Sequence, residues 1–408
     1  MGGKTILILI LGFSMVFLFK EKNLESASIN SVQNYSDYYS KTVAHNTAVS
    51  GANIIVNQFF LNPAQPTGNR SIGIDNGTAN INVTLTNPVL NTILISSTGT
   101  FGRFTSIVQV TLQMSYFSKF AYCSNDENGI WWTTNDTVNG PFHTQDYLNV
   151  YGHPVFNPGP TSSVSTLKGI NKYNRSSSPI INGVFRQGDN LQIPSTGVST
   201  LESKANSGGY VFTNHDTVYL TFATDSLRYK FSYKGTQTTV KTSNFAPNGT
   251  IVADNAILRI QGVVKGQLTV GVSGSGSKGT VYIDNDVVYH TNPRVDSTNA
   301  DLLGLVAQNN VYIADNGANN SDININAAIY AQQGGFGAQN YSTRPYSGTI
   351  YLLGGITQNS RLAVGVIGRY GNITNGFNKN YTYDNRLLVN VPPSFPSTGS
   401  YTVLSWYE

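Results

Sequence analysis

Cysteine is almost missing from this sequence: Cys123 stands alone, which excludes an internal disulfide and a Cys-ligated zinc site. Charge is scarce too. Asp, Glu, Lys and Arg make up 11% of residues, against roughly 25% in an ordinary soluble domain. The 25 basic and 21 acidic side chains leave a net charge of +4 with no basic cluster, so no nucleic-acid partner is expected. Also missing are a Gly-x-Ser-x-Gly elbow, a His-Glu-x-x-His pair and a dinucleotide fingerprint. Ser273–Gly279 resembles a phosphate loop but lacks the Gly-Lys-Ser/Thr order, and reads as a turn.

In place of charge stand Asn, Ser, Thr, 40 glycines and 24 tyrosines. Such chemistry suits strand faces and tight turns better than surface helices. The 39% hydrophobic residues arrive in short alternating runs that can bury a core, which counts against disorder. A chain of 408 residues exceeds the usual single-domain size, so two folding units behind an N-terminal segment are expected.

That segment is explicit. Lys4 precedes Thr5–Phe19, fifteen residues without a charge, closed by Lys20, Glu21 and Lys22. A basic start before an apolar block is an export signal. Ser26-Ala27-Ser28 offers a cleavage site, the alternative to retention as an anchor; retention is preferred, because flanking lysines can snorkel around a short span. Residues 1–20 are therefore assigned as signal or membrane anchor, with the membrane as partner through residues 5–19.

From residue 21 the pattern becomes amphipathic. Leu24, Ile29, Val32, Tyr35, Tyr39, Val43, Ala48, Ile55 and Phe59 recur at three-, four- or seven-residue steps, which predicts a helix ended by Pro63, Pro66 and Gly68. Asn80–Leu85, Thr92–Ser96 and Ser106–Gln113 then read as antiparallel strands, with turns at Asn87-Pro88 and Ser97–Gly102. An apolar stem, an amphipathic helix and a small antiparallel sheet over 21–118 resemble the layout of type IV pilins and pilin-like minor subunits. Neither Gly3 nor Gly12 is followed five positions on by glutamate; Ile8 and Phe17 stand there. That departure counts against processing by a prepilin peptidase and against incorporation as a major pilus subunit.

Residues 119–375 read as a body of short strands. Gly249-Thr-Ile-Val-Ala-Asp-Asn255 is echoed by Gly279-Thr-Val-Tyr-Ile-Asp-Asn285 and by Asn310-Val-Tyr-Ile-Ala-Asp-Asn316, with Gly348-Thr-Ile-Tyr-Leu-Leu-Gly-Gly355 following. Asp254, Asp284 and Asp315 are 30 and 31 residues apart. Short apolar strands between polar corners at that period predict a right-handed parallel β-helix-like solenoid; a β-sandwich is the alternative. Residues 157–200, and more broadly 157–245, read as a surface excursion, and 376–408, rich in Pro and aromatics, as a C-terminal cap. The fold class expected is thus mainly β: an N-terminal helix with a small antiparallel sheet, then the solenoid.

The search for chemistry yields little. Asp284 and Asp286 lie two apart on a strand and hence on one face, but glycoside hydrolysis needs two carboxylates across a cleft. Asp254, Asp284 and Asp315 could stack as a Ca²⁺ ladder; Asp-Asn corners explain them as turn chemistry. His143 and His153 bracket Asp146 without an evident third ligand, and His45, His215 and His290 are scattered. Of Trp131 and Trp132, adjacent on a strand, one is expected to face outward. Tyr210, Tyr219, Tyr229 and Tyr233 could line a sugar-stacking surface, though core packing accounts for most such residues. No catalytic, metal or cofactor-binding residue is assigned, no cofactor is expected, and the chain is not read as an enzyme.

Four further segments carry a resemblance: Gly140–Gln145 with Leu148–Phe156, Leu303–Val311, Gly348–Gln358, and Tyr381–Leu387 with Pro392–Pro396 and Ser405–Glu408. Together they resemble a family of bacterial envelope proteins in which a domain of unknown function follows a pilin-like stem. The resemblance implies a structural role at the cell surface or in the periplasm, self-assembly, and association with a type IV pilus or type II secretion pseudopilus. A carbohydrate-binding or carbohydrate-degrading β-helix is the alternative.

Overall fold

The computed structural model describes residues 2–88, 90–158, 163–368 and 372–408. The chain divides into two compact units, one running up to Gln113 and including Ser400–Glu408, the other spanning Met114–Gly399.

The first unit begins with one helix, α1 (Gly3–Leu61), followed by β1 (Gly68–Ile74), β2 (Gly77–Asn87), β3 (Thr92–Phe101) and β4 (Phe104–Tyr116), paired antiparallel in that order. The end of α1 is set by the chain: Asn62 takes extended geometry, and Pro63 cannot donate to a further turn. Its first part is apolar and bare, with the large side chains from Ile6 to Phe19 54–72% exposed. The helix is long and apolar enough to cross a membrane.

Its last part is packed. Ala44, Ala48, Gly51, Ala52, Ile55 and Phe59 are buried at three- and four-residue steps. Leu24, Ile29, Val32, Tyr35 and Tyr39, assigned to the same apolar face from spacing alone, are exposed. The buried stripe uses small residues because helix and sheet approach closely. A Cβ on Gly99 would stand 2.2 Å from the Ala44 carbonyl oxygen, and one on Gly51 2.7 Å from Ala79 Cβ. Ser97–Gly102, expected as a turn, is therefore mostly strand: Ser97–Phe101 stays in β3, and the chain reverses at Gly102-Arg103. A fifth strand comes from the far end of the sequence. Ser397–Tyr407 is the hydrogen-bonded neighbour of β4, so residues 376–408 do not form a single terminal cap.

In the second unit, parallel pairing dominates. One ladder runs Tyr210–Phe212, Thr250–Ala253, Gln267–Val272, Leu302–Ala307, Ile323–Ala331, Tyr346–Ser360, Tyr122–Asp126, Phe142–Thr144, Ser163–Thr166 and Val184–Gln187. Another joins Thr217–Thr224, Ile257–Val264, Thr280–Tyr289, Val311–Ile313 and Phe336–Ala338. Tyr346–Ser360 also leads through Ile373–Thr382 to Thr137–Asn139, Val155–Asn157 and Ile180–Ile181. A short third sheet holds Trp132–Thr133, Tyr147–Tyr151 and Gly169–Lys172. At one end Ser226–Lys230 adds antiparallel to Thr217–Thr224, and Thr238–Lys241 adds antiparallel to Ser226–Lys230.

Spatial order is not chain order. The chain enters at Tyr122, steps outward to Gln187, passes the helix Gly197–Asn206, resumes at the opposite end at Tyr210, and returns to lie beside its own entry. Residues 157–245, expected as an excursion, supply strands at both ends of the ladder. Register explains part of the repeat. Val281-Tyr282-Ile283 pairs with Val311-Tyr312-Ile313, thirty residues on. The Gly249 echo does not join them, because Thr250–Ala253 pairs with Thr269–Val272. Successive partners Thr250, Thr269, Gly304, Ala328 and Gly355 are 19, 35, 24 and 27 residues apart, so the spacing is variable. Asparagines align where strands stack: Asn182 donates to Asn157 at 2.6 Å and Asn157 to Asn139 at 2.8 Å.

Candidate functional site

Two places in the second unit concentrate polar chemistry. The first is buried. Glu127 follows the strand Tyr122–Asp126, and Arg361 follows Tyr346–Ser360, its parallel neighbour. Their side chains, 0% and 5% exposed, pair at 2.8 Å. The remaining carboxylate valences are filled: Trp132 Nε1 donates at 2.9 Å, Tyr122 Oη at 2.8 Å and Ser124 Oγ at 2.5 Å. The Arg361 guanidinium lies 3.9 Å from the Trp132 ring centroid, in cation–π contact. A second pair, Lys379 with Asp136 at 2.8 Å, sits 5.3 Å from the same ring. Burial pulls the Lys379 amine below its ordinary value against the opposing charge of Asp136. Burial, followed by the Glu127 charge, raises the Tyr122 phenol well above its usual range. Every charge here is paired, the condition under which burial is tolerated. The paired charges fasten the strand Tyr122–Asp126 to Tyr346–Ser360 and the strand Ile373–Thr382 to the segment before Thr137–Asn139.

The second place is open. Tyr219, Lys230, Tyr233, Arg259, Asp284 and Asn316 help to line a groove of about 640 Å³. Arg259 grips Asp284 through Nε at 2.9 Å and Nη2 at 2.5 Å. Half-burial raises the Asp284 carboxyl above its ordinary value, opposed by Arg259 and Lys230.

The residues singled out from sequence scatter between these settings. Asp254 accepts from Ser273, Asp284 pairs with Arg259, and Asp315 accepts from Asn340, so the three aspartates share no ligand position. Among the described residues no group of three or more His, Cys, Asp or Glu could hold a metal. Asp284 and Asp286 do not act on one face. Two extra residues bulge the strand between Ile283 and Val287, and Asp286 turns to Asn324 on the strand opposite Arg259.

His143 and His153 stay apart: His143 pairs with Gln145 at 3.1 Å, His153 with the Ser178 carbonyl, and Asp146 with Lys168. Burial lowers the pKa of His143. His45 lies 3.4 Å from Glu408, His215 stacks on Phe231, and His290 contacts Thr291. Burial pushes the Cys123 thiol upward, so it is a core residue. Trp132 is buried, while Trp131 meets the exposed Tyr173 edge-on. The four tyrosines divide: Tyr210 and Tyr229 pack with Phe212 and Phe245, whereas Tyr219 and Tyr233 flank the groove.

Glu127, Asp136, Arg361 and Lys379 were not singled out from sequence. Their partners are 234 and 243 residues away, and no spacing rule links them. The one available signal was charge rarity itself, which makes each isolated charge in an apolar stretch worth questioning.

No protein-family model matches this chain, and no curated protein matches it. Among solved structures the chain is similar to the competence-associated pilin ComZ from Thermus thermophilus, at 12% identity, with 90% of this chain and 97% of that chain covered and a TM-score of 0.36. That likeness is too loose to carry a functional argument.

Proposed function

We propose that this protein is a non-enzymatic structural component of the bacterial cell envelope, exported and held in a membrane through residues 5–19. Its first unit serves as a pilin-like head, and its second as a right-handed parallel β-helix-like solenoid that gives a stiff scaffold for assembly with pilus or pseudopilus components. The observation carrying this reading is the single helix α1, whose apolar first part is bare while its last part is packed on a sheet. An apolar surface of that size has no stable place in water. The parallel registers support the solenoid, since each strand covers the edge of the next.

The test is membrane retention. Full-length chain should resist alkaline carbonate extraction, and Ile8→Lys with Leu11→Lys should release most of it, because each centred lysine costs about 2.5–3.5 kcal/mol on insertion. A double variant that stays in the membrane overturns the anchor. A second reading, carbohydrate binding, is favoured by one observation: an open groove flanked by Tyr219 and Tyr233, the latter 75% exposed.

A further inference from the structure

We propose that the groove over the strands Thr217–Thr224, Ser226–Lys230, Ile257–Val264 and Thr280–Tyr289 binds an anionic saccharide, a chain of uronic acids. The proposal rests on the carbohydrate-binding reading and adds the charge of the ligand. Register builds the site. Tyr219 is paired with Lys230 on one side and with Arg259 on the other, and Arg259 is paired with Tyr282, which is paired with Tyr312. Cation and aromatic therefore alternate across neighbouring strands, about 4.8 Å per step. Lys230 Nζ lies 5.5 Å from the Tyr219 ring and 5.4 Å from Tyr233; the Arg259 guanidinium lies 5.8 Å from Tyr219 and 5.1 Å from Tyr282.

Aromatic faces suit the apolar side of a sugar ring. The cations set the sign of what joins it. Lys230 and Arg259 stand against the one carboxylate of the lining, Asp284, which leaves the groove with net positive charge. Asp284 engages Nε and Nη2 of Arg259, so Nη1 lies outside that pair. Lys230 spends one of its donors on the Tyr233 carbonyl oxygen and has others to offer. The rest of the lining includes neutral groups: Asn316 is engaged by the Asp284 carbonyl and the Asn319 N–H, while Thr221 and Gln261, joined only by a long 3.4 Å bond, can exchange hydrogen bonds with hydroxyls. An acidic peptide could also bond these groups through its backbone, but when extended it carries a carboxylate about every 3.4 Å, closer than one per sugar ring, and would call for a denser set of cations.

The full-length chain in detergent micelles would be titrated calorimetrically with hexameric oligouronate, with neutral malto-oligosaccharide of equal length, and with oligoglutamate. Oligouronate should bind, more weakly as salt rises, and the other two at least tenfold more weakly. Lys230→Gln and Tyr233→Ala should each reduce oligouronate affinity about tenfold, the loss of one charge-assisted bond or one stacking face. Both positions are solvent-accessible, and unchanged melting curves will confirm that the variants fold. Equal binding of the neutral sugar overturns the anionic ligand while leaving the carbohydrate reading intact. Tighter oligoglutamate binding identifies an acidic peptide instead, and no binding of any probe overturns both readings.

Discussion

Between Thr250 and Ala331 one buried row of the parallel ladder holds Ile251, Val270, Leu305 and Ile329, aliphatic side chains with no polar partner to find. Between Tyr122 and Phe156 the same kind of ladder buries Tyr122, Trp132, Phe142 and Phe156, whose rings meet at 5.0–5.6 Å around Glu127 and Arg361. The difference follows chain distance. In the aliphatic stretch paired strands succeed one another within 19–35 residues, and closing such loops costs little. In the aromatic stretch Tyr122–Ser124 pairs with Phe142–Thr144 nearby but must also find Ile356–Gln358, across more than half of the sequence. Apolar contact is non-directional and tolerates slippage. A buried carboxylate with four donors does not, because any other register strands a charge. The comparison teaches that the two ion pairs buried among these rings, Glu127–Arg361 and Asp136–Lys379, lie where chain order cannot set the pairing.

The strongest attempt to break that account is Glu127→Ala. It leaves Arg361 buried without its partner and removes the acceptor of Trp132, Tyr122 and Ser124, so unfolding should come easier by about 3–5 kcal/mol. Denaturant melts would measure the loss. Recovery of most of it in Glu127→Met with Arg361→Met would show that packing alone suffices at this seam. In the other unit, where small residues of helix and sheet approach closely, Gly99→Ala should cost about 1–3 kcal/mol, because the new Cβ meets the Ala44 carbonyl and Ala48 nitrogen. A melting point unchanged by that substitution would mean the close approach is soft.

Ile283→Val, in the aliphatic stretch, should cost about 1 kcal/mol. A loss comparable to that of Glu127→Ala would erase the contrast between the two stretches. The smallest effect concerns pH. Burial lowers the His143 pKa, with Gln145 and Asp189 opposing and Lys119 assisting. Below the ordinary value of 6.5 the unfolded chain takes up a proton that the folded chain refuses. Stability should therefore fall as pH drops through 6.5, and His143→Gln should flatten that slope in thermal melts at pH 7.5 and 5. An identical slope would place the acid sensitivity elsewhere.

Much of the secondary structure was legible, and the reasons differ from place to place. Helix α1 announced its end through Pro63 and Pro66. Its buried face was harder to read, since Leu24 and Tyr35 share the helical period without having anything to pack against. Ser97–Gly99 looked like a turn because small residues signal both reversal and close approach, and only the neighbouring helix decides which. The thirty-residue echo was real for Val281–Ile283 and Val311–Ile313 and coincidental for Gly249, whose strand faces a different neighbour. Tyr219 and Tyr233 were named among four candidates from composition. What separated them from Tyr210 and Tyr229 was the register that set Lys230 and Arg259 beside them.

The position of the C-terminal strand has a mechanical consequence. Residues before Gln113 and residues after Ser400 belong to the same unit, so Met114–Gly399 is an insertion spliced between two hydrogen-bonded neighbours, β4 and Ser397–Tyr407. A load applied between the two termini travels through α1 and that sheet and bypasses the ladder entirely. The inserted body feels tension only after the last strand has been torn from β4, which makes Ser397–Tyr407 the fuse of the molecule.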